Sequence, residues 1–236
     1  MMKTEWKICL PAYKLCYALC FVVIFCVIRG VTLTYEIGVA LEPAMALFAM
    51  LFCANTYTQE ISSGRSQIQR LYPMDNRLRS MAERMFVQEI VLLLLSAAGY
   101  GLSFLLHRPQ TQDTGTEIRI FLIFLAAVLV TLWFWGMLSN FLSCLFRNRW
   151  AGIGCCLALW IMTDSSFGKK SFGNWNLFSY ALRDIKGLSF SSYYSVSGAA
   201  GSYGGTDFHW IYGKILCILL CIGIALMMPA VLKKKG

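Results

Sequence analysis

The chain has few charged residues for its length. Only 14% of its 236 residues are charged, 12 of them acidic, while 58% are hydrophobic. So little polar side-chain surface cannot cover a soluble globule of this size. The scarcity of charge therefore excludes a soluble domain and indicates an all-α integral membrane protein.

Residues that usually carry catalysis are also scarce. The only two histidines, His107 and His209, lie at the ends of apolar runs, and neither belongs to an H-E-x-x-H motif. No G-x-S-x-G elbow is present, and the string closest to a Walker A loop, residues 168–171, lacks its first glycine. The sequence therefore predicts a chain that is not an enzyme and binds no cofactor itself.

Cysteine is abundant, but its placement does not indicate disulfides or metal binding. All ten cysteines lie in or beside apolar runs. Cys217 and Cys221, one helical turn apart, have no histidine or acidic residue near them in the sequence, so a metal site is not expected. The cysteines are interpreted as small apolar packing residues.

The formal net charge of +9 raises the question of nucleic acid. No basic patch is interleaved with base-stacking aromatics in a soluble segment, so we expect no nucleic-acid partner. Anionic lipid headgroups account for the charge better, because basic residues flanking membrane spans are attracted to them.

Six apolar runs predict six transmembrane helices in one transmembrane domain covering residues 1–236. The first fourteen residues alternate lysines with apolar side chains such as Trp6 and Leu10 at helical spacing, which predicts an interfacial helix over 1–14. The spans are expected at 15–33, 39–56, 85–106, 118–146, 150–164 and 210–232, with a cytoplasmic loop at 57–84 and an external loop at 165–209.

The loop at residues 57–84 contains the most distinctive pattern in the chain. It holds five arginines and no lysine between two apolar runs, which places it in the cytoplasm. Ser62 is a plausible N-cap and Pro73 ends the helical pattern, so a short amphipathic helix is expected between them. Its apolar side is formed by Ile61, Ile68, Leu71 and Tyr72.

The order Glu60, Gly64, Leu71, Pro73, followed by basic residues and a long apolar helix, resembles the cytoplasmic loop of ABC-2 type transporter permeases. In that family, the segment between the second and third spans holds a coupling helix that docks on a separate ATP-binding subunit. The gross layout of nearly the whole chain is similar as well, although the specific part of the resemblance is this loop.

The resemblance implies the permease subunit of an ABC exporter in a bacterial cytoplasmic membrane, with both termini cytoplasmic. ABC ATPase subunits would bind the ATP and magnesium, and a second permease chain, identical or related, would complete the pathway. The cargo implied is a peptide, a lipid or a hydrophobic compound, and peptide export fits the small size of bacterial peptide-immunity permeases. The docking residues implied are Glu60, Gly64, Arg65, Ile68, Arg70, Leu71 and Tyr72.

Two regions are candidates for the transport pathway or its gate. Glu42 is a carboxylate in the second span, with Arg29 as its expected partner, although it could also reach the outer headgroups. Trp175, Phe178 and Tyr180 lie in the aromatic external loop, where headgroup anchoring is an equally good explanation. A non-transporting assembly or sensor subunit that binds a ligand through this loop is the alternative function.

Two further expectations concern side chains of the third span. Glu89 is expected to pair with Arg84 or Arg79 near the inner surface. The small residues between Ser96 and Gly101 are expected to let another helix approach closely.

Overall fold

The computed structural model describes residues 11–31, 34–56, 73–107, 109, 114–164, 171, 175, 177 and 210–235. These residues form six α-helices, and the all-α prediction is confirmed. In chain order they are α1 (Ala12–Ile28), α2 (Thr34–Cys53), α3 (Met74–His107), α4 (Thr114–Phe146), α5 (Arg149–Asp164) and α6 (Trp210–Lys235).

The prediction of six spans is confirmed only in part, for four of the six helices. Four helices, α2, α3, α4 and α6, are long and apolar enough to cross a membrane, which points to a multi-pass membrane protein. The other two are apolar but shorter, with 17 residues in α1 and 16 in α5. At 1.5 Å per residue they are about 25 Å long, somewhat less than the roughly 30 Å of a hydrocarbon core.

The helix α4 lies at the centre of the bundle and packs against α2, α3, α5 and α6. Its apolar sequence explains this position, because its large side chains Phe124, Leu132, Phe134 and Trp135 are all almost completely buried. The helix α1 packs mainly on α3. The core therefore forms around one face of α4, while Leu122 and Leu129 on its other face are exposed.

One end of the bundle collects several helix termini. The C-terminal part of α6 packs there against the start of α3 and the end of α4, through Leu232, Met81 and Cys144. The start of α5 joins the end of α2, because Arg149 lies 3.5 Å from the side-chain oxygen of Asn55. We call this end, which carries Arg77, Arg79, Arg147, Arg149 and Lys233, the basic end.

The short helices α1 and α5 run alongside the longer ones. At the basic end, the Lys14 ammonium lies 5.7 Å from the ring centre of Phe52, near the end of α2. Farther along, α5 reaches the first half of α2, where the Trp160 indole donates a hydrogen bond to the Pro43 carbonyl at 3.1 Å. Both short helices therefore extend through much of the depth of the bundle.

The turn between α4 and α5 has a clear local cause. Arg147 has a φ of 55°, which reverses the chain directly after α4. The Asn148 side chain then accepts a hydrogen bond from the Trp150 backbone N–H at 3.0 Å and caps the first turn of α5. The turn lies between the spans expected at 118–146 and 150–164, and Trp150 directly after it is exposed.

Several boundaries differ from the prediction. The helix α3 begins at Met74, directly after Pro73, so the last part of the predicted loop 57–84 is helical. Proline has no N–H and suits a position at the start of a helix. Residues 1–10, most of the predicted interfacial helix, lie outside the described residues, and Ala12 to Lys14 already belong to α1.

The outer surface of the bundle is apolar. Large hydrophobic side chains are exposed along α1 and α6, including Leu19, Ile24, Ile28, Leu219 and Leu226. A surface of this kind would drive a soluble protein to aggregate, whereas lipid tails cover it without cost.

Close packing of α1 against α3 depends on a glycine in the small-residue patch. A Cβ added to Gly99 would lie 2.9 Å from the Val22 side chain, whereas one added to Gly101 would meet nothing within 4 Å. The thiol of Cys26 lies 3.5 Å from the Gly99 carbonyl, so the two helix backbones are close. This contact confirms the expected close helix approach.

Replacing Gly99 by leucine is expected to force α1 away from α3. Overpacking of this kind costs about 1–3 kcal/mol. Gly101→Leu is the matched control, since the same side chain there would project into open space. Thermal unfolding of both variants in the same detergent measures the difference, and equal unfolding temperatures would contradict this packing.

Candidate functional site

A buried charged cluster joins three helices in the half of the bundle away from the basic end. Glu42 of α2 is 1% exposed and Lys214 of α6 is 4% exposed. Their side chains form an ion pair between the Lys214 ammonium and Glu42 Oε1. The hydroxyl of Thr131 in α4 donates a hydrogen bond to the same carboxylate oxygen at 2.6 Å. We call Glu42, Thr131 and Lys214 the Glu42 cluster.

The ammonium of Lys214 uses all of its hydrogen-bonding capacity. Besides Glu42, it donates to the Thr131 hydroxyl at 2.8 Å and to the Leu177 carbonyl at 3.2 Å. A lysine carries three N–H donors, so none is left without an acceptor. This arrangement compensates for the loss of water around both charges, which is the condition for burying an ion pair.

The cluster corrects the expectation for Glu42. The carboxylate does not reach the outer headgroups, because it is almost completely buried. Its partner is Lys214, whereas Arg29 is exposed and follows the last turn of α1. The sequence did carry a signal for this pairing, since Lys214 interrupts the apolar run of the last helix close to its N-terminal end.

The segment between α5 and α6 contributes to the same region. Leu177 is buried and supplies the carbonyl that accepts from Lys214. Trp175 is 50% exposed, and its ring centre lies 5.5 Å from that of Tyr212 in the first turn of α6. Trp175 is therefore only two residues from Leu177, but its side chain is half exposed. The other two predicted residues, Phe178 and Tyr180, lie outside the described residues.

A second polar group occupies the bundle nearer the basic end. It consists of Thr56, Gln88, Glu89, Ser139 and Asn140, all buried, and we call it the Glu89 layer. Along α2, Glu42 and Cys53 are eleven residues apart, so the two polar levels are separated by about 16 Å.

Each side chain of the Glu89 layer bonds across a helix interface. The Thr56 hydroxyl donates to the Gln88 side-chain oxygen at 3.1 Å, joining α3 to the residues just after α2. The Ser139 hydroxyl donates to the Met50 carbonyl at 2.8 Å and joins α4 to α2. The Asn140 amide contacts the Met85 sulfur at 3.3 Å. The layer therefore fixes the register of α2, α3 and α4 against one another.

The prediction that Glu89 pairs with Arg84 or Arg79 is wrong. Glu89 is 2% exposed and accepts a weak hydrogen bond from the Cys53 thiol, 3.6 Å away. Arg79 pairs with Glu83 instead, at 3.1 Å. Helix geometry explains why: Arg84, five residues before Glu89, lies about 140° around the helix, and Arg79 lies about 15 Å away along the axis.

The structure does not describe the predicted docking residues. Glu60, Gly64, Arg65, Ile68, Arg70, Leu71 and Tyr72 all lie outside the described residues. The residues on either side of them, Thr56 and Pro73, bracket the segment at the basic end.

Comparisons of the chain with protein-family models, with curated proteins and with solved structures found no match. The functional argument therefore depends on the residues and contacts of this chain.

Removing one member of the ion pair is expected to be costly. Lys214→Met leaves the Glu42 carboxylate buried without its cation, and breaking a buried pair in this way costs about 3–5 kcal/mol. Adding Glu42→Gln to the same chain removes the orphaned charge and should recover most of the loss. Thermal unfolding in a fixed detergent measures both variants.

The control for this prediction is the exposed pair of α3. Arg79→Met removes the cation next to Glu83 and should cost less than about 1 kcal/mol, because water screens both groups. Similar losses for Lys214→Met and Arg79→Met would contradict the structural importance of the Glu42 cluster.

Proposed function

We propose that this chain is the permease subunit of an ABC exporter, which moves a peptide, a lipid or a hydrophobic compound out of the cytoplasm. The energy comes from ATP hydrolysis in a separate ATP-binding subunit. The chain itself supplies the path through the membrane.

The observation that carries the proposal is the Glu42 cluster in the interior of an otherwise apolar bundle. Charged side chains inside a membrane are expensive, and they mark substrate or ion pathways more often than simple structural supports. A protein that served only as an anchor could fill the same space with apolar side chains at lower cost. The cluster also joins α2, α4 and α6, so any movement of these helices must rearrange it.

The proposed topology places the basic end in the cytoplasm. Positively charged residues near the ends of spans favour the cytoplasmic side, and the basic end carries arginines from α3, α4 and α5. In this proposal α1 and α5 also cross the bilayer, because they run alongside α2 through much of the bundle. Both ends of the chain and the arginine-rich loop then lie in the cytoplasm, and the Glu42 cluster lies in the outer half.

The arginine-rich loop is the proposed contact with the ATPase. Ile68, Leu71 and Tyr72 would provide its apolar contacts, and Arg65 and Arg70 its polar ones. The loop connects α2 directly to α3, so a push from the ATPase would reach both the Glu89 layer and the Glu42 cluster. The mechanism is alternating access: closure of the ATPase dimer moves α2 and α3, and the interior opens to the other side.

Docking is tested by changing the apolar face of the loop. Ile68→Asp combined with Leu71→Asp should abolish co-purification of the ATP-binding subunit and ATP-dependent export, because two charges would lie in an apolar contact. Ser66→Asp is the matched control, since Ser66 lies about 160° around the helix from Ile68 and about 140° from Leu71, so a charge there should leave assembly intact. ATPase activity and mass spectrometry of the purified complex measure both.

Three outcomes bear on the proposal. Loss of the ATPase in the double variant alone supports it. Unchanged assembly and export in the double variant would contradict it. Purification of the wild-type chain from its native membrane without any ATP-binding subunit would favour the sensor or assembly role.

A further inference from the structure

The Glu89 carboxyl has an unusual environment for an acidic side chain. It is 2% exposed, and its Oε2 atom has no hydrogen-bond partner in the part of the chain that the structure describes. Its other oxygen, Oε1, meets only the weak thiol donor of Cys53. The ion pairs seen among the described residues involve Glu83 and Glu42 and not Glu89.

Among the residues that the structure describes, the groups that face Glu89 carry no positive charge. On α2 the neighbour is Cys53, and on α6 Cys221 is close enough to interact electrostatically. On α3 itself, the adjacent Gln88 is neutral and bonds to Thr56. On α4 the contact is Gly136, which has no side chain. Arg84 is buried on the same helix, but it lies on another side and takes part in an interaction of its own.

The backbone of α4 is shaped around the carboxyl. A Cβ added to Gly136 would overlap Glu89 Oε1, and it would lie 3.0 Å from the Cys53 sulfur. Only glycine lets α4 approach so closely. Among the described residues the carboxyl is therefore enclosed by three helices, with no cationic side chain paired with it.

We propose that Glu89 is a proton-binding site in the interior of the bundle, where its carboxyl is held as the neutral acid until α2, α3 and α4 separate. An isolated carboxylate in such a place is strongly disfavoured, and the group takes up a proton instead. Glu42 shows the contrast, because the ammonium of Lys214 lies directly against its carboxyl oxygen.

This assignment links proton binding to conformation. Any rearrangement that brings water to the Glu89 layer lets the carboxyl ionise and release its proton. Closing the layer again requires a proton to be taken up. The proposal does not depend on the ATPase, because it rests only on the surroundings of Glu89.

Infrared spectroscopy of the full chain in lipid nanodiscs at neutral pH tests the assignment. A neutral carboxylic acid has a carbonyl stretch well separated from the carboxylate bands. The wild type minus Glu89→Gln difference spectrum should contain this neutral-acid band. Glu83→Gln is the matched control on the same helix, and its difference spectrum should show only carboxylate bands, since Glu83 is partly exposed and paired with Arg79.

A second variant keeps the test valid if Glu89→Gln folds poorly. Cys53→Ala retains Glu89 but removes the thiol donor, so the same band should remain and move to higher frequency. Carboxylate bands in place of the neutral-acid band in the Glu89→Gln difference would overturn the proposal. The proposal would also be overturned if the neutral-acid band appeared only after choline replaced sodium in the buffer. The site would then bind a metal cation in place of the proton.

Discussion

The Glu42–Lys214 ion pair is the constraint on which the rest of the bundle depends. A membrane interior offers no water to either charge, so each side chain can be buried only where the other reaches it. The pair therefore links α2 to α6, which both pack on α4, although Glu42 and Lys214 are 172 residues apart in the chain. Thr131 adds α4 to the same contact. The last helix is thus held by this charged contact together with its apolar packing on α4.

The two polar levels of the interior differ in character. The Glu42 cluster is a satisfied charged pair, and it holds three helices together in one arrangement. The Glu89 layer is uncharged in our account, and its bonds join α2, α3 and α4 close to the arginine-rich loop. A force applied at the loop would therefore act first on neutral hydrogen bonds and only then on the ion pair about 16 Å farther away. This order suits a transporter, because the near level can open while the far level still closes the path.

The sequence predicts the helices well, because long apolar runs bounded by arginines, prolines and polar turns leave few alternatives. Pro73 and the Arg147–Arg149 turn both lie where a helix begins or reverses. Contacts between helices are much harder to predict. Arg29 is nearer to Glu42 in the sequence than Lys214 is, but only the packing order of α2, α4 and α6 brings the correct cation to the carboxylate. Likewise, the rotation of α3 turns Glu89 toward Cys53 and Gly136, and spacing from the arginines could not show which helix would meet it there.

The central claim is that the interior around the Glu42 cluster opens and closes when ATP is used. Hydrogen–deuterium exchange of the purified complex with the proposed ATP-binding subunit, followed by mass spectrometry, measures water access to the peptides that contain Glu42, Thr131 and Lys214. The account predicts slow exchange without nucleotide and faster exchange in these three peptides when ATP is bound. Equally slow exchange in every nucleotide state, in a complex that still exports its substrate, would contradict it.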